Sequence, residues 1–370
     1  IGLAGVWSFA LYYVMAELWG TYTLSVLFWQ FANENVTTEE SKRYYPLFIL
    51  IGNIALIGLS FVLEFIAKSY ESNAGINFIN LTIIASGAVM MFIFYYANNF
   101  ILTQERFQAH KPAPKKKKVK LSLSDSFKEL FQSKYILYIA IIVLSYGIMI
   151  NIFETVWKEQ LKVFFTVDGV TNQNQLLLFM STYTFYTGVS TIVLNYISKG
   201  IIRKCGWIVG ASVTPIVATL SCVIFFLYCM NTSYLDPILV GLGAGAMFAV
   251  MFGASGVVFS KSSKYAFFDP TKEMSFIPIP ADLRASGKAA VDGVGARLGK
   301  SGGGLIQIFL AFVITSFTGE ILNAIDLVPF LIFIVILLGA GWLYSVISLN
   351  KLYLKAVEED TTQVETTIKV

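Results

Sequence analysis

Residues 103–134 read TQERFQAHKPAPKKKKVKLSLSDSFKELFQSK. Arg106, Lys111, the run Lys115-Lys116-Lys117-Lys118, Lys120, Lys128 and Lys134 all fall here, between two long apolar stretches. A loop this rich in Lys and Arg beside apolar spans stays on the cytoplasmic side of a bilayer. Pro114 to Lys120 also fits the pattern of a nuclear import signal. Next to membrane spans, however, lysine clusters fix topology and touch anionic lipid. Leu121, Phe127, Leu130 and Phe131 recur near helical spacing, as in an interfacial helix leading into the next span.

Outward from this loop, apolar stretches of about 20 residues, the length that spans a bilayer as a helix, recur on both sides. Before it they lie near 5–31, 46–67 and 78–102; after it, near 135–157, 175–198, 206–229, 236–259, 295–316 and 327–349. The connections alternate between base-rich and base-poor. Lys42 and Arg43, the basic loop, Lys199 with Arg203 and Lys204, and the 260–297 segment are rich; the turns 230–235 and 317–326 carry no base. That alternation places the start of the first span outside and the C-terminus inside. An odd number of helices is then expected ahead of Ile1, and three would make twelve, with the basic loop between the sixth and seventh. The expected fold is an all-α membrane protein, major-facilitator-like, with about nine of twelve transmembrane helices here. Residues 1–103 would be the second half of one bundle and 104–134 a cytoplasmic linker. The other bundle would be 135–350, with a cytoplasmic tail at 351–370.

Composition agrees. Of 370 residues 56% are hydrophobic and 14% charged, with a mean hydropathy of +0.68. That is too little polar surface to coat a globule in water, which excludes a soluble enzyme, a disordered regulator and a nucleic-acid-binding module. Cys205, Cys222 and Cys229 form no CxxC pair, and His110 stands alone in a polar loop. No metal site, cofactor or nucleophile–base set is expected, and hence no enzyme.

Charges within spans carry the functional reading, since each costs on the order of 2.5–3.5 kcal/mol near a helix centre. Glu17 shares a face with Tyr13, Gly20 and Thr21, either as an acid in transport or as a hydrogen-bonded acid holding helices together. Glu154 precedes Lys158 by four, with Asn151 one turn earlier, as a functional group or as an ion pair at the membrane edge. Arg297, Lys300, Gly304 and Gln307 fall on one face, and Lys288 and Asp292 are spaced as an i, i+4 pair. Two cations beside glycines suit a phosphate-bearing ligand; Gly295, Gly299 and Gly303 equally suit a close helix contact. Gly299-Lys300-Ser301 is not a P-loop, because Val294 stands where the pattern needs glycine. The segment 261–287 is too polar to span and is expected to pack against the cytoplasmic face.

Several segments carry a resemblance. They are Ala16-Glu17-Leu18-Trp19-Gly20, Leu27-Phe28-Trp29, Ser41-Lys42-Arg43-Tyr44-Tyr45 and Glu154-Thr155-Val156-Trp157-Lys158. Ser260-Lys261-Ser262-Ser263-Lys264-Tyr265-Ala266, Phe268 to Met274, Gly287 to Asp292 and Gly299 to Gly303 follow. Along most of its length the chain resembles the ATP/ADP translocase family of plastids and obligate intracellular bacteria. It departs from that pattern at Gly293-Val294-Gly295 and along 164–175. The resemblance implies a twelve-helix transporter exchanging ATP for ADP in a bacterial inner membrane rather than a plastid envelope, with other nucleotides or phosphate as further substrates. It implies that Glu17, Glu154 and Lys300 serve transport, with another essential lysine in an N-terminal part. Asn151, Lys158, Asp292 and Arg297 complete the candidate set. The alternative within transport is proton-coupled import of nucleoside triphosphates.

Overall fold

In the computed structural model, the described residues are 7–20, 27–28, 31–32, 35, 38–70, 72–103, 133–232, 235 and 247–368. The basic loop and the expected interfacial helix at 121–132 lie outside them.

The chain divides into two compact units, residues 1–52 with 76–119 and residues 53–75 with 120–370. The first holds α1 (Trp7–Gly20), the start of α2 (Thr38–Ser69) and most of α3 (Ser72–Tyr96), which ends in a π-helical turn, Ala97–Ile101. Within it, the Tyr12 hydroxyl donates to Asn80 Oδ1 at 2.7 Å, and a Cβ at Gly87 would meet the Trp19 ring at 3.0 Å.

The second unit begins with the rest of α2, where Ile57 lies on Gly188. It continues with α4 (Lys134–Phe164), α5 (Gln173–Cys205), α6 (Trp207–Met230), α7 (Met247–Ser263), α8 (Asp269–Ser275) and α9 (Ala281–Lys288). Two helices, α10 (Ala296–Thr318) and α11 (Val328–Ile368), complete it. Local signals set the boundaries. Ser133 caps α4 by accepting from the Ile136 amide at 3.5 Å, and Asn172 caps α5 through the Gln175 amide at 3.1 Å. Between α4 and α5 lies a small hairpin, β1 (Thr166–Val167) and β2 (Val170–Thr171). Asp168 and Gly169 both adopt positive φ there, as a two-residue type I′ turn requires.

Among the described residues, seven helices are long and apolar enough to cross a membrane. They include the expected spans at 46–67, 78–102, 135–157, 175–198, 206–229, 295–316 and 327–349. The core of the second unit is aromatic: Phe153, Trp157, Phe225, Phe226 and Trp342 are fully buried. The Trp157 indole donates to the Val250 carbonyl at 3.2 Å. Gly253 makes room for this ring, since a Cβ there would sit 2.5 Å from it.

Several helices run past their expected ends, α11 through most of the expected tail, and one of these differences bears on the site. The helix expected to stop at 259 runs on from Met247 through a π-helical turn, Lys264–Phe268, into α8 and ends at Ser275. The segment expected to lie as a linker on the cytoplasmic face is therefore, up to Ser275, helix packed inside the unit. Ser260, Ser262, Ser263, Thr271 and Ser275 are all buried. Hydropathy counts these hydroxyls as polar, but most are satisfied within the helix. Ser260 donates to Gly256 O at 2.7 Å, Thr271 to Phe267 O at 2.7 Å and Ser275 to Lys272 O at 2.6 Å. Others bond across helices: Thr191 donates to Ser262 Oγ at 3.1 Å and Thr214 to Ser263 O at 3.0 Å. Thr214→Val should then lower stability by only about 0.6–1 kcal/mol, the usual worth of such interhelical bonds, read as a small drop in the detergent melting temperature.

Candidate functional site

The helix contact that sets the site is between α4 and α10. A Cβ at Gly147 would lie 2.7 Å from the Gly299 carbonyl carbon and 3.0 Å from the Lys300 amide nitrogen. One turn on, a Cβ at Gly303 would lie 2.7 Å from Asn151. The glycine stripe thus does serve as a close helix contact, burying Gly299 and Gly303. Asn151 is absorbed into the same crossing, where its Oδ1 accepts from Gln307 Nε2 at 3.3 Å.

With Gly299 and Gly303 facing α4, Arg297 and Lys300 are turned to the exposed side of α10. Gln307, expected to share their face, is instead buried against α4. Lys300 is consequently a cation whose backbone is pinned by the tightest part of the crossing while its side chain stays accessible.

Glu154 lies further along α4, with a side chain only 18% exposed. The expected pair with Lys158 is present at 3.2 Å. A second and shorter one joins it: Lys261 Nζ lies 2.5 Å from Glu154 Oε1, coming from α7. The Lys261 ammonium is also 5.7 Å from the centroid of the Tyr183 ring on α5. Two lysines from two helices therefore share one carboxylate, so the charge within the span is compensated and exceeded by one. The sequence reading missed Lys261, counting it among the bases of a cytoplasmic loop. The signal that would have found it is the run of self-satisfied serines around it, which carries the helix past 261.

Asp292 belongs elsewhere. It accepts from Lys272 at 2.7 Å, while Lys288 pairs with Glu273 and Lys272 also reaches Glu273 at 3.3 Å. The expected Lys288–Asp292 pair is replaced by this crossed arrangement, in which α8 brings Lys272 and Glu273 against the π-helical turn Ala289–Gly295 and the end of α9 and supplies a partner for each. The cluster sits at the end of the unit where Tyr135 donates to Ser275 O at 2.6 Å and Trp207 to Thr271 O at 2.8 Å. Tyr135 and Trp207 open α4 and α6, next to base-rich connections, which marks this end as cytoplasmic. Glu17 lies in α1, and its side chain is outside the described residues. Among the described residues, no group of three or more His, Cys, Asp or Glu is placed to hold a metal.

The cytoplasmic cluster carries a pH prediction. Burial pushes the Glu273 pKa up, but the Lys288 hydrogen bond and the charges of Lys272 and Lys288 outweigh it and hold the carboxyl below its ordinary value. Burial pulls Lys272 down, and Asp292 and Glu273 more than reverse it, so its pKa is raised. A carboxylate depressed on folding stabilises above its unfolded value, about 4.3 for Glu, and loses that contribution as pH falls through the folded one. A lysine raised on folding contributes fully below about 10.4 and loses it only as pH rises through the folded value. Melting temperature should therefore be flat near neutrality and fall on acidification below about pH 4.3. In Glu273→Gln the acid limb should be shallower.

Residues 1–353 match the family model described as TLC ATP/ADP transporter. ADP,ATP carrier protein 1 of Chlamydia pneumoniae is 37% identical over 370 residues, covering 96% of this chain and 70% of that protein. The Chlamydia muridarum protein of the same name is 38% identical over 363 residues, 95% of this chain and 66% of its own length. That of Rickettsia conorii is 37% identical over 362 residues, 95% and 70%. The chain thus spans about two thirds of the length of these relatives. No solved structure matches it.

Proposed function

The chain belongs to the TLC ATP/ADP transporter family, and on that premise we propose that it exchanges ATP for ADP across a bacterial inner membrane by alternating access. The observation that carries the proposal is Glu154, a carboxylate within an apolar span, paired with both Lys158 and Lys261. An anion exchanger needs cations in the membrane to meet phosphates, and it must not leave them unpaired on the return stroke, because an uncompensated buried charge is costly. Lys300 and Arg297 meet the phosphates in this reading and Glu17 serves transport as a further acid, while Glu154 is paired with Lys158 and Lys261 rather than with Lys300 or Arg297. In this reading the pairing of Asp292 with Lys272 supports a role in holding the segment that enters α10.

In this reading, residues 1–103 and 135–350 are parts of two bundles joined by the basic linker. The names of the chlamydial and rickettsial relatives support ADP and ATP as the exchanged pair.

The test is uptake of α-labelled ATP into liposomes carrying the full-length protein, with and without ADP inside. Uptake should require internal ADP and ignore a collapsed proton gradient. Uptake into empty vesicles that follows an imposed proton gradient would replace exchange with proton-coupled import.

A further inference from the structure

The surplus lysine at Glu154 has no structural necessity. One carboxylate needs one ammonium, and Lys158, four residues along the same helix, already supplies it. Lys261 arrives from a different helix and makes the shorter contact, 2.5 Å against 3.2 Å.

Its depth is fixed by its neighbours. Ser262 accepts from Thr191, near the middle of α5, and Ser263 O accepts from Thr214 within α6. Gly256, just over one turn before Lys261, lies against Phe153 of α4. Lys261 is therefore level with the interior of three apolar helices, not with their ends. Its side chain is nevertheless 31% exposed, so the residue is not sealed within the core. The Tyr183 ring flanks it at 5.7 Å.

A carboxylate and a phosphate offer the ammonium the same thing, an anionic oxygen at hydrogen-bond distance. We propose that Lys261 is a substrate-contacting cation of the transport site, released from Glu154 to bind the terminal phosphates of a nucleoside di- or triphosphate. Glu154 and the substrate then compete for one ammonium. Binding detaches Lys261 from the carboxylate, and departure of the nucleotide restores the pair. The inference rests on the nucleotide-exchange reading above and adds a residue to it.

Competition has a sign that a purely structural ion pair lacks. Removing the lysine weakens binding, whereas removing its competitor strengthens it. ATP/ADP exchange should be measured in liposomes for Lys261→Gln, Glu154→Gln, the double Glu154→Gln/Lys261→Gln and Lys261→Arg, with melting temperature in detergent alongside. Lys261→Gln should raise KM for ADP about tenfold or more, the loss of one charge-assisted hydrogen bond. Glu154→Gln should lower KM while slowing turnover. Lys261→Arg should retain most exchange. The double variant should melt near the wild-type temperature yet stay as impaired as Lys261→Gln.

If the double variant recovers wild-type exchange, the pair is only structural and the inference is overturned. An unchanged KM in Lys261→Gln overturns it as well. Should Lys261→Gln fail to reach the membrane, the double variant carries the test, because it removes both members of the Lys261–Glu154 pair. A wild-type KM in Lys261→Gln beside an inactive Lys300→Ala removes Lys261 from the site and leaves the exchange reading intact. Absence of ADP-dependent uptake in the wild type overturns both.

Discussion

Replacing Lys300 with alanine is expected to abolish ATP uptake, by about a hundredfold, with no loss of protein from the membrane. A hydrogen bond to a charged group is worth about 1.5–3 kcal/mol net, and each 1.4 kcal/mol is about tenfold in an equilibrium. Phosphate oxygens removed from water and left without their cation cost more than that bond alone. Lys300 is well placed for such a role, because its backbone lies against Gly147 in the α4–α10 crossing while its side chain is exposed. Truncation therefore removes a charge without opening a hole in the packing. Uptake per amount of inserted protein is the measurement, with Lys300→Arg as the charge-conserving partner. Undiminished uptake in Lys300→Ala would end the phosphate role.

The second large effect is expected at Gly147. Its added Cβ would meet backbone, 2.7 Å from the Gly299 carbonyl carbon and 2.8 Å from the Gly299 Cα. Neither atom can turn aside as a side chain can, so the helices must separate. Gly147→Val should cost about 3 kcal/mol, the upper end of the usual overpacking range, read as a broad, early thermal transition and poor recovery of monodisperse protein in detergent. Gly302→Ala is the contrast. Its Cβ would meet only the Ile148 side chain at 3.3 Å, which can shift by a few tenths of an ångström. Gly302→Ala should melt near the wild type; if both variants melt alike, the crossing is not set by Gly147. Because the same contact holds the Lys300 backbone, surviving Gly147→Val protein should also transport poorly.

These two residues show how much of the site was legible in the chain. Gly299 and Gly303, four apart, promised a close helix contact, and the contact is there, though Gly147 on the partner helix was not singled out. Glu154 and Lys158 promised a pair, and it formed. Both are consequences of helix periodicity, which depends on nothing beyond a few residues. The Asp168-Gly169 hairpin carried an equally local turn signal that a search for long apolar spans passes over.

The sequence by itself determined that this is a multi-pass α-helical membrane protein, because insertion responds to local hydropathy. Its motifs also determined the family. Only the tertiary structure decided that Lys261 joins Glu154, that Lys272 rather than Lys288 takes Asp292, and that Gln307 turns inward to Asn151. Those partners come from different helices, and they meet through the choice of neighbour and the axial offset between helices. Both are fixed by side-chain packing over the whole unit, by aromatic rings against Gly253 and Gly256 and by hydroxyls that let a polar segment stay buried. A window of twenty residues averages such terms away. A packed bundle cannot, because each helix can slide only as far as its glycines and rings allow.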